Sequence, residues 1–375
     1  MKQTGLPDVF GEIIADPCNA LVERALDDGR KVIGYTCSYV PEPLVSVEGL
    51  QPVRLRAPDP CGTPLADTYL SSVGCPYCRS LLENALDGRY DFVEGWVLTA
   101  SCDHTRRLYD NLVYLSPPPF AHILDVPHKT GAPALDWLTE ELDRLARSLA
   151  DHFGVDTGPD ALAEAIARHN AHLARVGALA ALRRRDLPPL TGAAFHQVLV
   201  ACGMAPKDAL AGPLQDLARA LDRSEPVRSV RARLLVVGSL LDEPAYLRVL
   251  EDVGGLVVAD RFCVGSLPGL EPIPTGGDPL RALAEHSLRQ TRCPRMMEDF
   301  DLRLADILAA ARTYRADGVV LQAMKFCDLW GVESMALTDA LRGTLPVLRV
   351  EREYGFGAEG QLRTRAQAFL ESLGR

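Results

Sequence analysis

Apolar residues fall along this chain in short continuous runs, separated by turn residues and by stretches of helical period. Residues 30–57, RKVIGYTCSYVPEPLVSVEGLQPVRLRA, read as a strand, a turn with Pro, a helix-compatible stretch, a Gly and a second strand. Residues 232–260, ARLLVVGSLLDEPAYLRVLEDVGGLVVAD, repeat that order. A second pair covers residues 75–112 and 293–337. Each member opens with Cys-Pro and runs through a helical pattern to Gly95 or Gly318. Each then forms a strand ending in Cys-Asp, at Cys102-Asp103 and Cys327-Asp328, and continues as a helix. Self-similarity of this kind predicts two related α/β halves. Between them the sequence is rich in Ala, Leu and Arg, with helical periodicity broken at Pro188, Pro189 and Gly192. The expected division is an N-terminal α/β domain over residues 1–135, a helical segment over 136–225 and a C-terminal α/β domain over 226–375. The run Arg183-Arg184-Arg185 reads as a solvated helix end, where cations suit the dipole.

At 375 residues the chain can bury large cores, and 47% hydrophobic content describes a globular protein. A net charge of −10 argues against nucleic acid as a partner. No apolar run approaches the roughly 20 residues of a membrane span, so no membrane partner is expected. The first residues lack the basic head and apolar run of a signal peptide, and the expected location is cytoplasmic. GxxxxGK[ST], GxGxxG after a leading strand and GxSxG are all absent.

Ten cysteines are many for a cytoplasmic chain and shift weight to metal or redox use, although most buried cysteines are plain packing. Cys75, Cys102, Cys293 and Cys327 occupy matched positions in the two halves. Cys102 and Cys327 end strands, where open α/β sheets bind ligands. Cys75 precedes a helix, whose amino terminus favours thiolate. Thiolates from separate loops suit an iron–sulfur cluster. Cys75-x-x-Cys78 by itself would suit zinc or a redox pair, but no second CxxC follows. His104 reads as a helix-start residue, a substrate hydrogen-bonder or a ligand. Ser38 and Glu42, in CSYVPE, either cap the following helix or assist proton transfer at a substrate.

Several segments together resemble the 2-hydroxyacyl-CoA dehydratase and benzoyl-CoA reductase family. They are KVIGYTCSYVPEPL, CPYCRSLLENALDGRYDFVEGWVLTASCDHTRRLYD, LVVGSLLDEPAYLRVLEDVGGLVVAD, QAMKFCDLWGVES and EREYGFGAEGQLRTRAQAFLESL. The resemblance implies two Rossmann-like parallel-sheet domains with a helical insert and a [4Fe-4S] cluster in the crevice between them. By motif match, Cys75, Cys102 and Cys327 hold the cluster and one iron stays open. The resemblance also implies an acyl-CoA substrate, a homologous second subunit in a heterodimer, and a separate ATP-dependent iron–sulfur activator that injects one low-potential electron. Dehydratases of the family form a ketyl radical anion that expels the C2 hydroxyl; benzoyl-CoA reductases dearomatise a ring. A third branch carries a double-cubane cluster and reduces small molecules. A non-catalytic electron-transfer or scaffold subunit is the remaining alternative. The chain departs from the family at Pro43, Val47 and Glu48, in the first helix on the substrate side. Cys78 and Cys293 are extra thiols beside the ligand candidates.

Overall fold

The computed structural model describes residues 9–58, 62–267, 269–355 and 357–374. Cys61 lies outside the described residues. In chain order the first half holds α1 (Val9–Ala15), α2 (Ala20–Asp27), β1 (Lys31–Tyr35), β2 (Leu50–Arg54), α3 (Pro76–Leu86), β3 (Gly95–Thr99), α4 (Asp103–Leu115) and β4 (Phe120–Leu124). Four helices follow: α5 (Ala132–Phe153), α6 (Pro159–Leu182), α7 (Gly192–Cys202) and α8 (Lys207–Asp222). The second half holds β5 (Ala232–Gly238), α9 (Pro244–Asp252), β6 (Gly255–Arg261), α10 (Pro279–Gln290), α11 (Phe300–Tyr314), β7 (Gly318–Met324), α12 (Asp328–Leu341), β8 (Val347–Arg352) and α13 (Glu359–Ser372).

Each half builds one four-stranded parallel sheet, in the orders β2-β1-β3-β4 and β6-β5-β7-β8. The two orders are the same topology, as expected of related halves. Buried parallel strands need cover on both faces, which is why they read as continuous apolar runs. Alternate residues divide between the faces: Ile33 and Val97 pack with Leu138, Leu142 and Leu149 of α5, while Val32 and Leu98 pack with α3 and α4. In the second half Leu234 and Val236 face α9 and α13, and Leu235 and Val237 face α11 and α12. Gly95 and Gly318, the first residues of β3 and β7, each leave room for an aromatic ring. A Cβ at Gly95 would stand 3.1 Å from Phe153, and one at Gly318 would stand 2.7 Å from Phe369. Helices α6, α7 and α8 share a core with α1, through Val176, Leu179, Phe195, Leu210 and Phe10.

Two expectations fail. No helix forms between β1 and β2; only a three-residue 3-10 turn does, at Leu44–Ser46. Pro41 and Pro43 remove backbone donors there. Arg183 is not solvated. Its side chain is 2% exposed, pairs with Asp260 at 3.1 Å and lies 4.5 Å over the Phe195 ring, while Arg184 and Arg185 do face solvent. Among the described residues no helix is long and apolar enough to cross a membrane.

The carboxyl ends of the two sheets face each other. Past β1, the Ser38 hydroxyl donates to the Cys263 carbonyl (2.7 Å) beyond β6, and the Tyr39 hydroxyl to the Thr291 carbonyl (2.6 Å). Past β2, the Ala57 amide donates to the Tyr354 hydroxyl (2.9 Å) beyond β8. Past β3, the Ser101 carbonyl accepts from Arg295 at 3.1 Å. A crevice between the two strand-end edges follows directly from this arrangement.

Candidate active site in the crevice between the sheets

Three of the matched cysteines occupy the same structural position. Cys75 is the N-cap of α3, Cys102 of α4 and Cys327 of α12. Each strand or loop delivers its thiol to the point where a helix begins, where unpaired amides and the dipole favour negative charge. The Cys78 thiol donates to Cys75 and, against the effect of burial, holds it down to about 6, helped by the amides of Cys78 and Tyr77 and by His104. Burial pushes Cys102 up, with Thr105 opposing and Cys75 and Cys37 adding to the rise. Burial pushes Cys327 up to about 12, with Cys75 and Cys102 contributing. The three thiols therefore feel one another across the crevice. Among the described residues no three His, Cys, Asp or Glu side chains are grouped as ligands of a single metal ion.

The spare thiols differ from these. Cys78 is buried within α3 and raised well above its ordinary value by the hydrogen bond it gives Cys75. Cys293 lies in a loop, and α11 begins only at Phe300, so no helix starts at its thiol. Burial pushes it up, with Cys37 and Cys263 adding. The likeness of the halves breaks at this position.

His104, in the first turn of α4, ties the other cysteine loops together. Its Nδ1 accepts from the Cys75 amide at 3.4 Å, and its Nε2 lies 3.1 Å from the Phe326 carbonyl. The Nε2–H tautomer satisfies both contacts, which leaves neither ring nitrogen open. Phe326, at φ 60°, holds the turn into Cys327.

Ser38 and Glu42 cap no helix. The Arg54 guanidinium donates to the Ser38 hydroxyl at 2.9 Å. Glu42 accepts from Lys207 at 2.5 Å and lies 4.0 Å from His169. Burial alone would raise the Glu42 carboxyl, but Lys207 and His169 outweigh it and hold the group at about 2. A cavity of about 150 Å³ opens between Ser38, Glu42, Arg54, His172, Cys263 and Leu283. A second, of about 720 Å³, adjoins it and shares His169 and His172. Lys207 gives no local sequence signal; His169 and His172, one turn apart on α6, show a spacing that could be noticed.

This cluster makes the fold acid-sensitive. Burial, then Lys207, lowers His169 to about 3 and His172 to about 4 from 6.5. Both stay neutral when folded and take a proton on unfolding, so stability falls as pH drops from 6.5 toward those values. The depressed Glu42 has the same sign: its ion pair stabilises above the unfolded carboxyl value and is lost as pH falls toward about 2. Denaturant titrations at pH 7 and pH 5 are expected to differ by on the order of 2 kcal/mol per histidine. His172→Gln should flatten the profile, and a flat wild-type profile would contradict the assignment.

Thiols on paired helix starts between two facing parallel sheets describe a class of thiol-lined, two-sheet crevice proteins. The family model for the 2-hydroxyglutaryl-CoA dehydratase D-component matches residues 37–373, and the chain belongs to that family. It is 26% identical to the YjiM protein of Escherichia coli, a dehydratase subunit by name, over 99% of each chain. It is 25% identical to one of the benzoyl-CoA reductase subunits of Thauera aromatica, over 93% of this chain and 92% of that one. It is 24% identical to the beta subunit of (R)-2-hydroxyglutaryl-CoA dehydratase from Acidaminococcus fermentans, over the whole of both.

Proposed function

We propose that this chain is a [4Fe-4S] subunit of a 2-hydroxyacyl-CoA dehydratase or benzoyl-CoA reductase type of enzyme, which does one-electron, ketyl radical chemistry on an acyl-CoA thioester. One observation carries the reading: Cys75, Cys102 and Cys327 each begin a helix at the facing edges of the two sheets. These residues fit the cluster. The donors are soft, they come from separate loops, and a cubane needs thiolates set wider than a single ion does. When bound, the cluster supplies a single low-potential electron to the thioester.

The chain's own residues do the rest. Of the three helix starts, that of Cys75 holds its thiol below the ordinary value, while burial outweighs the helix amides at Cys102 and Cys327, whose protons would have to be displaced by a soft metal. His104 keeps the Cys75 and Cys327 loops in register through its two ring nitrogens. Ser38 and Arg54 form the polar end of the smaller cavity, where an acyl carbonyl fits. Glu42, held ionised beside Lys207, orders that wall and is a poor proton donor at neutral pH. The subunit designations of the relatives support a homologous partner in a heterodimer. The absence of a phosphate-binding GxxxxGK[ST] supports a separate ATP-dependent activator. Nine free cysteines among the described residues suit the reducing cytoplasm.

A second reading has its own support. Cys263 acts on Cys293, and Cys37 acts on both and on Cys102. Three further soft donors on the same crevice would suit a double-cubane cluster and small-molecule reduction. Anaerobic purification with the homologous subunit, followed by iron and sulfide counts and a screen of CoA esters, separates these. About four irons per chain are expected for the single cluster; about twice that supports the second reading. Zinc without acid-labile sulfide would refute both, and turnover by the chain alone would refute the heterodimer.

A further inference from the structure

Arginines buried in this fold mostly meet a carboxylate. Arg183 pairs with Asp260 at 3.1 Å, Arg303 with Glu333 at 2.6 Å and Arg56 with Asp242 at 3.7 Å, and the half-buried Arg261 pairs with Asp306 at 3.0 Å. Arg54, Arg295 and Arg352 are different. Among the described residues, no carboxylate oxygen lies within 4.0 Å of any of them.

All three bind neutral atoms of the crevice walls. Arg54, at the end of β2, donates to the Ser38 hydroxyl (2.9 Å), the Cys263 carbonyl (2.9 Å) and the Thr36 carbonyl (3.2 Å). Arg295, 1% exposed, donates to the carbonyl of Ser101, the residue before Cys102, and to that of Val126, and lies 3.4 Å from His128. Arg352, at the end of β8, donates to Gln322 (2.9 Å) and to the carbonyls of Glu353 and Leu240. The Nε atoms of Arg54 and Arg295 are buried without a hydrogen-bond partner, as are those of the carboxylate-paired Arg56 and Arg183, so it is the missing carboxylate that sets the three apart. The acidic groups that act on them at longer range are Asp125 on Arg295 and Asp242 on Arg352. Asp242 already accepts from the Tyr354 hydroxyl at 2.7 Å and faces Arg56.

A buried cation without a counter-charge costs several kcal/mol in effective terms. Three around one crevice imply that the crevice carries negative charge when the protein works. A cubane core with three thiolate ligands is a net anion, more so once reduced. We propose that Arg54, Arg295 and Arg352 are positioning residues that compensate the charge of the occupied crevice and hold its reduced state within reach of the electron donor. This rests on the cluster reading above. Because the charges are buried, salt screens them little.

The test is a dye-equilibrated redox titration of the anaerobic protein, read by electron paramagnetic resonance, with iron counted in the same samples. Arg54→Gln, the least buried of the three, and Arg295→Gln should retain wild-type iron. Each should lower the reduction equilibrium at least tenfold, about 59 mV toward negative potential for one electron. Arg54→Lys and Arg295→Lys, which keep the charge, should return most of the shift. A wild-type potential in Arg54→Gln overturns the proposal by itself. A shift that Lys fails to restore also overturns it, since that pattern marks lost packing rather than lost charge. Wild-type protein without iron overturns the cluster reading instead, a result the iron count alone reports.

Discussion

Cys102→Ser and Cys327→Ser chains are expected to purify with most of their iron missing and with no turnover of any acyl-CoA. Cys102 and Cys327 are the N-cap residues of helices at facing strand ends, so neither can be replaced by a neighbouring sulfur without moving a helix. Serine is a favoured N-cap residue, and the fold should survive. What it loses is the soft donor that iron prefers. Cys78→Ser should keep its iron, although the hydrogen bond to Cys75 changes character. Cys293→Ser is the sharper control. Its thiol sits in a loop with no helix start behind it, and an open iron requires it to be dispensable. Iron loss in Cys293→Ser equal to that in Cys327→Ser would overturn the three-ligand assignment and favour the larger cluster.

Gly238→Ala should be the most damaging single methyl group in the second half. Gly238 ends β5 at φ 148°, a conformation closed to other residues, and a Cβ there would stand 1.7 Å from the Gln322 carbonyl oxygen. The neighbouring Ser239 amide donates to that same carbonyl at 3.1 Å, and the Ser239 hydroxyl accepts from the Met324 amide at 2.7 Å. An alanine must therefore part β5 from β7 just before Cys327. A loss of more than about 3 kcal/mol is expected, visible as a collapsed melting temperature or insoluble protein. Gly177→Ala is the matched control. It lies in α6 between Val176 and Ala178 with nothing within 4 Å of the added carbon, and should gain about 0.5–1 kcal/mol. Equal melting temperatures for the two variants would contradict the argument.

What can be read from the sequence is local. The strands after Gly95 and Gly318 announce themselves as apolar runs, and each hands its cysteine to a helix within four residues, so Cys102 and Cys327 stand where the pattern puts them. Even the common strand order follows from the repeated motif order. The turn after β1 misleads because a Pro-rich stretch with apolar spacing has the period of a helix without the amides to make one. Arg183 misleads because its partner Asp260 belongs to the other half of the fold. The same reason hides Lys207 beside Glu42, and the three arginines that meet no carboxylate. A missing partner leaves no trace in one dimension.

The facing sheet edges also bear on when this protein can be finished. Cys102 and Cys327 are separated by more than half the length of the chain, and the walls between them include Tyr354 from beyond the last strand. On the ribosome the first sheet can form while the second does not yet exist, and at that stage the crevice has one wall and open solvent. Completion of the crevice is therefore a late event in the life of the polypeptide. A chain stalled or cut before β7 would present Cys75 and Cys102 without the wall that Met324, Cys327 and Tyr354 supply.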